Sequence, residues 1–153
     1  MHLTNYSIQK KSDKFVTNND PLKDDVGHKW SLTALNRHFE SIGVDTGFVW
    51  GKIYDLIIKT VISIEPSVVE QVRKYSLFRG NCFDLYGFDV LLDSNLKPWL
   101  VEVNLSPSMN TDSPLDHRIK SNLVADTLTL AGVRVFDRKK ERMNIIKSRL
   151  KQR

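Results

Sequence analysis

Length, composition and charge limit this chain to a few broad classes of protein. Its 153 residues, of which 41% are hydrophobic, are enough for one domain with a hydrophobic core. No apolar run is long enough to span a bilayer, and the first residues lack the apolar stretch of a signal peptide, so neither a membrane protein nor a secreted one is expected. The single cysteine, Cys82, has no Cys or His neighbours at metal-ligand spacing, which is typical of a reducing compartment. The net charge of +5 predicts an acidic partner without identifying it.

The first half of the chain predicts a polar loop followed by helices. Residues 10–27 are polar and contain Asn-Asn-Asp-Pro, which is typical of a surface loop. Apolar residues at helical spacing then predict one helix over residues 30–43 and a second over residues 48–65. Pro66 is expected either to stop the second helix or to open a further one over residues 67–75. The inward positions of the second helix are expected to be Ile53, Ile57, Val61 and Ile64.

Two apolar strands joined by a tight loop follow, in the stretch LYGFDVLLDSNLKPWLVEVNLSPS. A four-residue loop would place Asp93 opposite Pro98. The antiparallel register that follows from this loop sets Leu91 opposite Leu100. The stretch therefore predicts a β-hairpin with a defined register.

Three oxygen-bearing side chains interrupt the two apolar strands. The same register sets Asp89 opposite Glu102, with Asn104 as a diagonal neighbour on the same face. Two carboxylates that face each other repel and are costly to desolvate, so a divalent cation between them would stabilise the arrangement. Mg²⁺ binds oxygen ligands of this kind. The pattern favours a magnesium site, and a hairpin with a hydrated polar face is the alternative.

The last part of the chain predicts a helix and then a basic tail. A helix is expected over residues 117–131. Residues 134–153 contain nine Lys and Arg residues against two acidic ones, so the tail carries more positive charge than the whole chain. The tail suits an electrostatic contact with an acidic partner, and a solvated helix is the alternative. The inward positions of the helix over residues 117–131 are expected to be Ile119, Leu123, Thr127 and Leu130.

Other chemistries have weaker support in the sequence. The four histidines have no spacing that gathers two on one face, so a zinc site is not expected. The sequence has neither a Gly-x-Ser-x-Gly nucleophile motif nor a Gly-rich phosphate loop. Trp30, Trp50 and Trp99 lie within apolar patterns, which indicates core packing rather than a surface that stacks on nucleic acid bases.

Five blocks in order resemble the carboxy-terminal half of the ATP-grasp core in the tubulin-tyrosine-ligase-like family, and most of all its polyglutamylase branch. The blocks are HLTNYSIQK, GHKWSL, LYGFDVLLD, LKPWLVEVNLSPS and PLDHRIK. The resemblance implies an α+β fold over residues 1–135, with an antiparallel sheet and packed helices. The charge and the helical spacing of the last residues predict a basic, helical tail over residues 136–153. It also implies that this subdomain is incomplete by itself, because the part that supplies the adenine pocket would precede residue 1.

The family resemblance implies a ligase. In such enzymes ATP phosphorylates a glutamate side-chain carboxylate of tubulin, and the amino group of free L-glutamate attacks the acyl phosphate. ATP and Mg²⁺ are the implied cofactors, and tubulin in microtubules is the implied protein partner, with neither nucleic acid nor a membrane expected. The implied location is the cytoplasm and cytoskeleton, including the cilium or basal body. Ligation of glycine or tyrosine and an inactive microtubule-binding fragment are the alternatives.

The resemblance also assigns roles to residues around the nucleotide. Asp89, Glu102 and Asn104 match the catalytic magnesium ligands of the family, in agreement with the expected geometry of the hairpin. Thr4 and Asn5 match a stretch that lies beside the nucleotide. These five residues are therefore the candidates for binding Mg²⁺ and ATP.

Three further residues match positions that hold the incoming amino acid in the family. They are Ser7, Lys29 and Lys120, and the two lysines are expected to pair with its carboxylates. At both lysine positions an ordinary solvated side chain is the alternative.

Overall fold

The computed structural model describes residues 8, 10–18, 20, 22–76, 82–133 and 137–151. Their fold is α+β, as predicted, with four helices and one antiparallel sheet of two strands among the described residues. The chain divides into two compact units, residues 1–121 and 122–153. No helix in the described part of the chain has the length and apolar character needed to cross a membrane. The elements in chain order are α1 (Leu32–Ser41), α2 (Thr46–Tyr75), β1 (Tyr86–Leu92), β2 (Pro98–Leu105), α3 (Pro114–Leu130) and α4 (Arg138–Lys151).

The polar loop before α1 is held by its own hydrogen bonds. The backbone N–H of Val16 donates to Nδ1 of His28 at 3.1 Å, and the backbone N–H of His28 donates to the carbonyl of Val16 at 3.2 Å. Gly27 has a φ of +74°, and a Cβ at this position would lie 2.3 Å from the carbonyl oxygen of Val16. Only glycine fits this close approach of the two segments. The loop therefore fixes the backbone immediately before Lys29.

Helix α1 begins where a side chain can cap it. The hydroxyl of Ser31 accepts a hydrogen bond from the backbone N–H of Ala34 at 2.9 Å, and the same hydroxyl donates to Asp24 at 2.6 Å. This N-cap satisfies one of the free N–H groups of the first turn. The helix ends before Gly43, which has a φ of +76°. The predicted helix and its terminating glycine are confirmed.

Helix α2 is a single helix of 30 residues, so the prediction that Pro66 interrupts it is wrong. The side chain of Asp45 caps its first turn by accepting from the backbone N–H of Phe48 at 3.1 Å. A proline inside a helix removes one hydrogen bond and leaves the carbonyl four residues earlier, that of Ile62, without its usual partner. Because Ile62 lies on an exposed part of the helix, water can replace that partner and the helix continues.

The core of the first unit lies where the start of α2 packs against α1 and the hairpin. Phe39, Val49 and Ile53 are buried there. Val61 and Ile64 are 42% and 41% exposed, so their expected inward positions are wrong. The second half of α2 extends past the part of the chain that packs on its first half. The partly buried hydrophobic residues around this core are Leu35, Val44, Trp50, Ile57, Val90, Leu92 and Leu96.

The expected inward face of α3 is also wrong. Leu115, in the first turn, is the buried residue of this helix. Ile119, Leu123 and Leu130 are exposed. Helical spacing identifies residues that share a face, but only a packed neighbour buries that face.

Two of the three tryptophans lie outside the core, contrary to expectation. Trp30 and Trp99 are exposed, and each indole N–H donates to a nearby loop at 3.0 Å, to the carbonyl of Gly27 and to the carboxylate of Asp93 respectively. The indole N–H requires a partner, and in both cases a loop supplies it rather than the core. Trp50 packs against the core as expected.

The hairpin pairs as predicted at its polar positions and differs near its loop. Asp89 faces Glu102 in the antiparallel register, which confirms that prediction. Leu91 faces Trp99 rather than Leu100, and the register shifts between Asp89 and Val90. A bulge in β2 near this shift offsets a loop that is one residue longer than predicted.

The longer loop is built around one aspartate. The backbone N–H of Asp93 donates to the carbonyl of Lys97 at 3.1 Å. The carboxylate of Asp93 accepts from the backbone N–H groups of Asn95 and Lys97 at 2.9 and 3.0 Å. The hydrogen bond from the indole of Trp99 is the main cause of the lowered pKa of Asp93. The two backbone N–H groups that donate to the carboxylate lower this pKa further. Asp93 therefore closes the loop, and Pro98 pairs with Leu92 instead.

Candidate functional site

The carboxylate hairpin, defined as Asp89, Glu102 and Asn104, brings the three predicted oxygen-bearing side chains together. Asp89 lies on β1 directly opposite Glu102 on β2. The side-chain amide of Asn104 donates to Oε1 of Glu102 at 3.2 Å. Asn104 is paired with Gly87, where a Cβ would lie 2.9 Å from the side chain of Pro107. The missing side chain at Gly87 therefore lets the loop after β2 pack beside the site.

The carboxylate of Asp89 is perturbed by its surroundings in the hairpin. Partial burial raises the pKa of Asp89, and Glu102 raises it further through a shared hydrogen bond and through charge repulsion. A hydrogen bond with Asn104 acts in the opposite direction but does not cancel these effects. Repulsion between the two groups makes ionisation of Asp89 less favourable, and a positive charge between the carboxylates would relieve it.

The chemistry of this donor set fits a small, hard cation. Two carboxylates and one carboxamide supply oxygen ligands, and Mg²⁺ in proteins commonly combines one or two carboxylates with phosphate oxygens. Within the described ranges no group of three or more His, Cys, Asp or Glu residues is placed to hold a metal ion. The carboxylate hairpin has two such residues and an amide, so phosphate or water would have to complete the coordination shell. The role of these residues as metal ligands stays a prediction.

An open depression of about 240 Å³ lies beside Asp89. It includes Val101, next to the shift in register, so the bulge shapes one wall of it. Glu102 is exposed, and Asn104 is half-buried. Of the three residues of the carboxylate hairpin, Asp89 lines this depression. Its lining residues are Phe88, Asp89, Val90, Leu91 and Val101.

A second candidate site is the lysine cluster, defined as Lys29, Asp116 and Lys120. Nζ of Lys29 donates to Oδ2 of Asp116 at 2.9 Å, with the two side chains 34% and 13% exposed. Lys120 lies one helical turn after Asp116 and donates to the backbone carbonyl of Asn110. The structure thus pairs Lys29 directly with Asp116, whereas Lys120 contacts the loop before α3.

The charge of the lysine cluster is balanced within the protein. Burial of Asp116 acts to raise its pKa, but the hydrogen bond and charge of Lys29, a hydrogen bond with Ser113 and the charge of Lys120 outweigh burial and lower it. Asp116 is therefore ionised at neutral pH. Lys29 is paired and partly buried, and the roles of Lys29 and Lys120 in binding the amino acid stay predictions.

Asp116 was missed in the sequence, although two signals point to it. It precedes Lys120 by four residues, which is the spacing of an acid–base pair on one helical face. It also lies within the block PLDHRIK. Its pairing with Lys29 has no sequence signal, because the two residues are 87 positions apart.

Three predicted site residues lie outside the described part of the chain. Thr4 and Asn5, expected beside the nucleotide, and Ser7, expected beside the amino acid, belong to this group. Their roles stay predictions.

Comparison with known proteins identifies the family. The sequence profile described as the Tubulin-tyrosine ligase family matches residues 1–142. The chain belongs to this family. The predicted resemblance is therefore confirmed, and the carboxylate hairpin and the lysine cluster both lie inside the matched range of this tubulin-tyrosine ligase family member.

Curated relatives of this family member carry tubulin-modifying names. Tubulin polyglutamylase TTLL5 of Homo sapiens is 49% identical over 132 residues, which is 86% of this chain and 10% of the relative. Tubulin polyglutamylase ttll-5 of Caenorhabditis elegans is 50% identical over 139 residues, which is 91% of this chain and 19% of the relative. Tubulin monoglutamylase TTLL4 of Homo sapiens is 46% identical over 132 residues, which is 86% of this chain and 11% of the relative. The chain thus spans less than a fifth of the length of these relatives.

Proposed function

We propose that this chain carries the magnesium-binding and amino-acid-binding part of an ATP-dependent tubulin glutamate ligase with an ATP-grasp fold. The observation that carries the proposal is the direct pairing of Asp89 with Glu102, with Asn104 bonded to Glu102 at 3.2 Å. Two of the relatives above are named tubulin polyglutamylases and one a tubulin monoglutamylase. These names favour glutamate over glycine or tyrosine as the amino acid that is added.

The proposed reaction joins two glutamates in two steps. The γ-phosphoryl group of ATP is transferred to a side-chain carboxylate of a tubulin glutamate, which gives an acyl phosphate and ADP. The amino group of free L-glutamate then attacks the acyl carbon, phosphate leaves, and an isopeptide bond forms. Both steps require close positioning of anionic groups, so neutralisation of charge is the main task of the site.

The carboxylate hairpin would hold Mg²⁺ for the first step. Asp89 and Glu102 supply the charge that matches a divalent cation, and Asn104 supplies a neutral oxygen donor. Bound at this place, Mg²⁺ would neutralise charge on the phosphate oxygens. The rigid pairing of β1 with β2 keeps the three donors at fixed positions along the strands.

The lysine cluster would bind the incoming amino acid for the second step. Free glutamate has two carboxylates, and ammonium groups such as those of Lys29 and Lys120 are suitable partners for them. Both lysines lie in the first compact unit, close to one carboxylate of the protein. A site with two fixed positive charges favours a dicarboxylic amino acid over glycine or tyrosine.

The basic helix α4 would contact the acidic partner. It carries most of the positive charge of the tail, and the described side chains of this helix are exposed. The glutamate-rich tails of tubulin have the complementary charge, and such contacts mainly steer association and weaken with salt. This assignment implies a cytoplasmic, cytoskeletal setting, including the cilium or basal body.

The test is the substitution Glu102→Gln in the complete protein that contains this segment. The change removes one charge and keeps the shape of the side chain, so we expect ligation to fall by about 100-fold or more, since the charge acts on the transition state. The measurement is incorporation of labelled glutamate into microtubules over a range of Mg²⁺ concentrations.

The matched control is Glu70→Gln, the same chemical change on an exposed part of α2. This variant should ligate glutamate at the wild-type rate. Circular dichroism should show the same helix content in both variants. Wild-type, magnesium-dependent ligation by the Glu102 variant would contradict the proposed site.

A further inference from the structure

The ion pair between Lys29 and Asp116 connects two distant parts of the chain. Lys29 lies just before α1, and Asp116 lies in the first turn of α3. The Nζ–Oδ2 distance is 2.9 Å, and the carboxylate side chain is only 13% exposed. A pair with this burial is shielded from water more than a surface ion pair is.

Asp116 is itself held in place by its own helix. Its backbone N–H donates to the hydroxyl of Ser113 at 3.2 Å. The preceding residue, Leu115, is 3% exposed and anchors the same turn in the protein. The carboxylate therefore has a defined position before any ligand binds.

Lys120 lies one turn after Asp116 on α3, and its amine donates to the backbone carbonyl of Asn110. Its charge contributes to the lowered pKa of Asp116. The direct contact of the carboxylate is with Lys29, so Asp116 fixes the amine of this lysine in particular.

We propose that Asp116 is a positioning residue that holds the amine of Lys29 in place to receive a carboxylate of the incoming amino acid. The inference rests on the proposed function, because it concerns the amino-acid site of that ligase. Asp116 acts through Lys29. An ammonium group has three N–H donors, so Lys29 can bind a carboxylate of the substrate while Asp116 keeps the amine in place.

The test compares Asp116→Asn, Asp116→Glu and Asp126→Asn in the complete protein. Asp126 lies on the same helix, is exposed, and undergoes the same chemical change. For Asp116→Asn we expect the KM for glutamate to rise about tenfold or more, because the charge-assisted contact that orders Lys29 is lost. The KM for ATP and kcat at saturating glutamate should change less than about twofold. Asp116→Glu should recover part of the affinity, and Asp126→Asn should match the wild type.

The outcomes separate this inference from the proposed function. If the wild-type protein does not ligate glutamate in the presence of ATP and Mg²⁺, the proposed function is wrong and the positioning role falls with it. If the wild type is active and the glutamate KM of Asp116→Asn is unchanged, the positioning role alone is wrong. A parallel rise in the KM for ATP, or no recovery in Asp116→Glu, would also overturn it, since either result indicates a general structural effect. Thermal melts of all variants identify any that fail to fold, and for such a variant Asp116→Glu supplies the kinetic test.

Discussion

In the carboxylate hairpin two acidic side chains face each other, whereas in the lysine cluster one acidic side chain pairs with Lys29 and is also stabilised by the charge of Lys120. The pKa of Asp89 is raised in the first arrangement, and the pKa of Asp116 is lowered in the second. The hairpin therefore has an excess of negative charge that a cation would relieve. In the lysine cluster the acidic side chain is already paired, so an anionic ligand has to share Lys29 with a carboxylate of the protein.

This difference separates two modes of ligand binding. Adding a cation to the hairpin supplies a partner that the protein lacks there. Adding an amino acid to the lysine cluster brings a further carboxylate to an amine that is already paired and held in place, so the contact mainly sets the affinity for that substrate. We therefore expect substitutions in the hairpin to affect turnover and substitutions in the lysine cluster to affect the concentration of amino acid that is required.

The largest effect on the glutamate requirement is expected for Lys120→Ala in the complete protein. Loss of one charge-assisted contact to the amino acid should raise the KM for glutamate about thirtyfold, which corresponds to about 2 kcal/mol. The KM for ATP should change little, because the contact is made to one substrate only. Steady-state kinetics with glutamate and ATP varied in turn measure both values.

The control for Lys120→Ala is Lys59→Ala, which removes an exposed lysine of α2 whose ion pair with Asp55 lies on the surface. Surface pairs of this kind contribute little, so its kinetics should equal those of the wild type. An unchanged glutamate requirement in the Lys120 variant would show that this lysine is an ordinary solvated side chain.

An intermediate effect is expected in the pH dependence of stability. The folded-state pKa of Asp116 lies below its ordinary value of 3.8, so its ion pair stabilises the folded state above that value and is lost as the pH falls through the folded pKa. Asp116→Asn should therefore be less stable than the wild type at pH 7, by about 1 kcal/mol after screening by solvent. Urea unfolding at neutral and strongly acidic pH measures the difference.

At strongly acidic pH the gap between wild type and Asp116→Asn should close, because the wild-type carboxyl is then protonated too. The exposed variant Asp126→Asn should show no gap at either pH. A gap for Asp116→Asn that is the same at both pH values would mean that packing, rather than the ion pair, explains the loss.

The smallest effect is expected for Asp89→Asn without Mg²⁺. Removing one of two facing carboxylates relieves their repulsion, so the folded state should gain stability, by less than about 1 kcal/mol because the site is open to water. Thermal melts with and without Mg²⁺ test this. Mg²⁺ should stabilise the wild type and have little effect on the variant.

A loss of stability in Asp89→Asn without Mg²⁺ would contradict the difference between the hairpin and the lysine cluster. It would show that the two hairpin carboxylates already have favourable partners within the protein, as Asp116 does. The hydrated polar face would then be the better description of the hairpin.

Features that depend on local periodicity could be predicted from the sequence alone. Side chains alternate along a strand, so the facing of Asp89 and Glu102 followed from the two strands and an approximate loop. The same holds for α1, where helical spacing and Gly43 predict the element and its end. Five ordered blocks were enough to recognise the family, because each combines an element with side chains of defined chemistry.

Features that depend on partners distant in sequence could be recognised only in the tertiary structure. The bulge beside Val90 and the loop closed by Asp93 have no periodic signal, although together they preserve the facing of Asp89 and Glu102. Pro66 continues a helix because its surroundings are exposed, which propensity alone does not reveal. Asp116 became visible as the partner of Lys29 only when folding brought together positions 87 residues apart, because charge pairing depends on distance in space and the sequence records only distance along the chain.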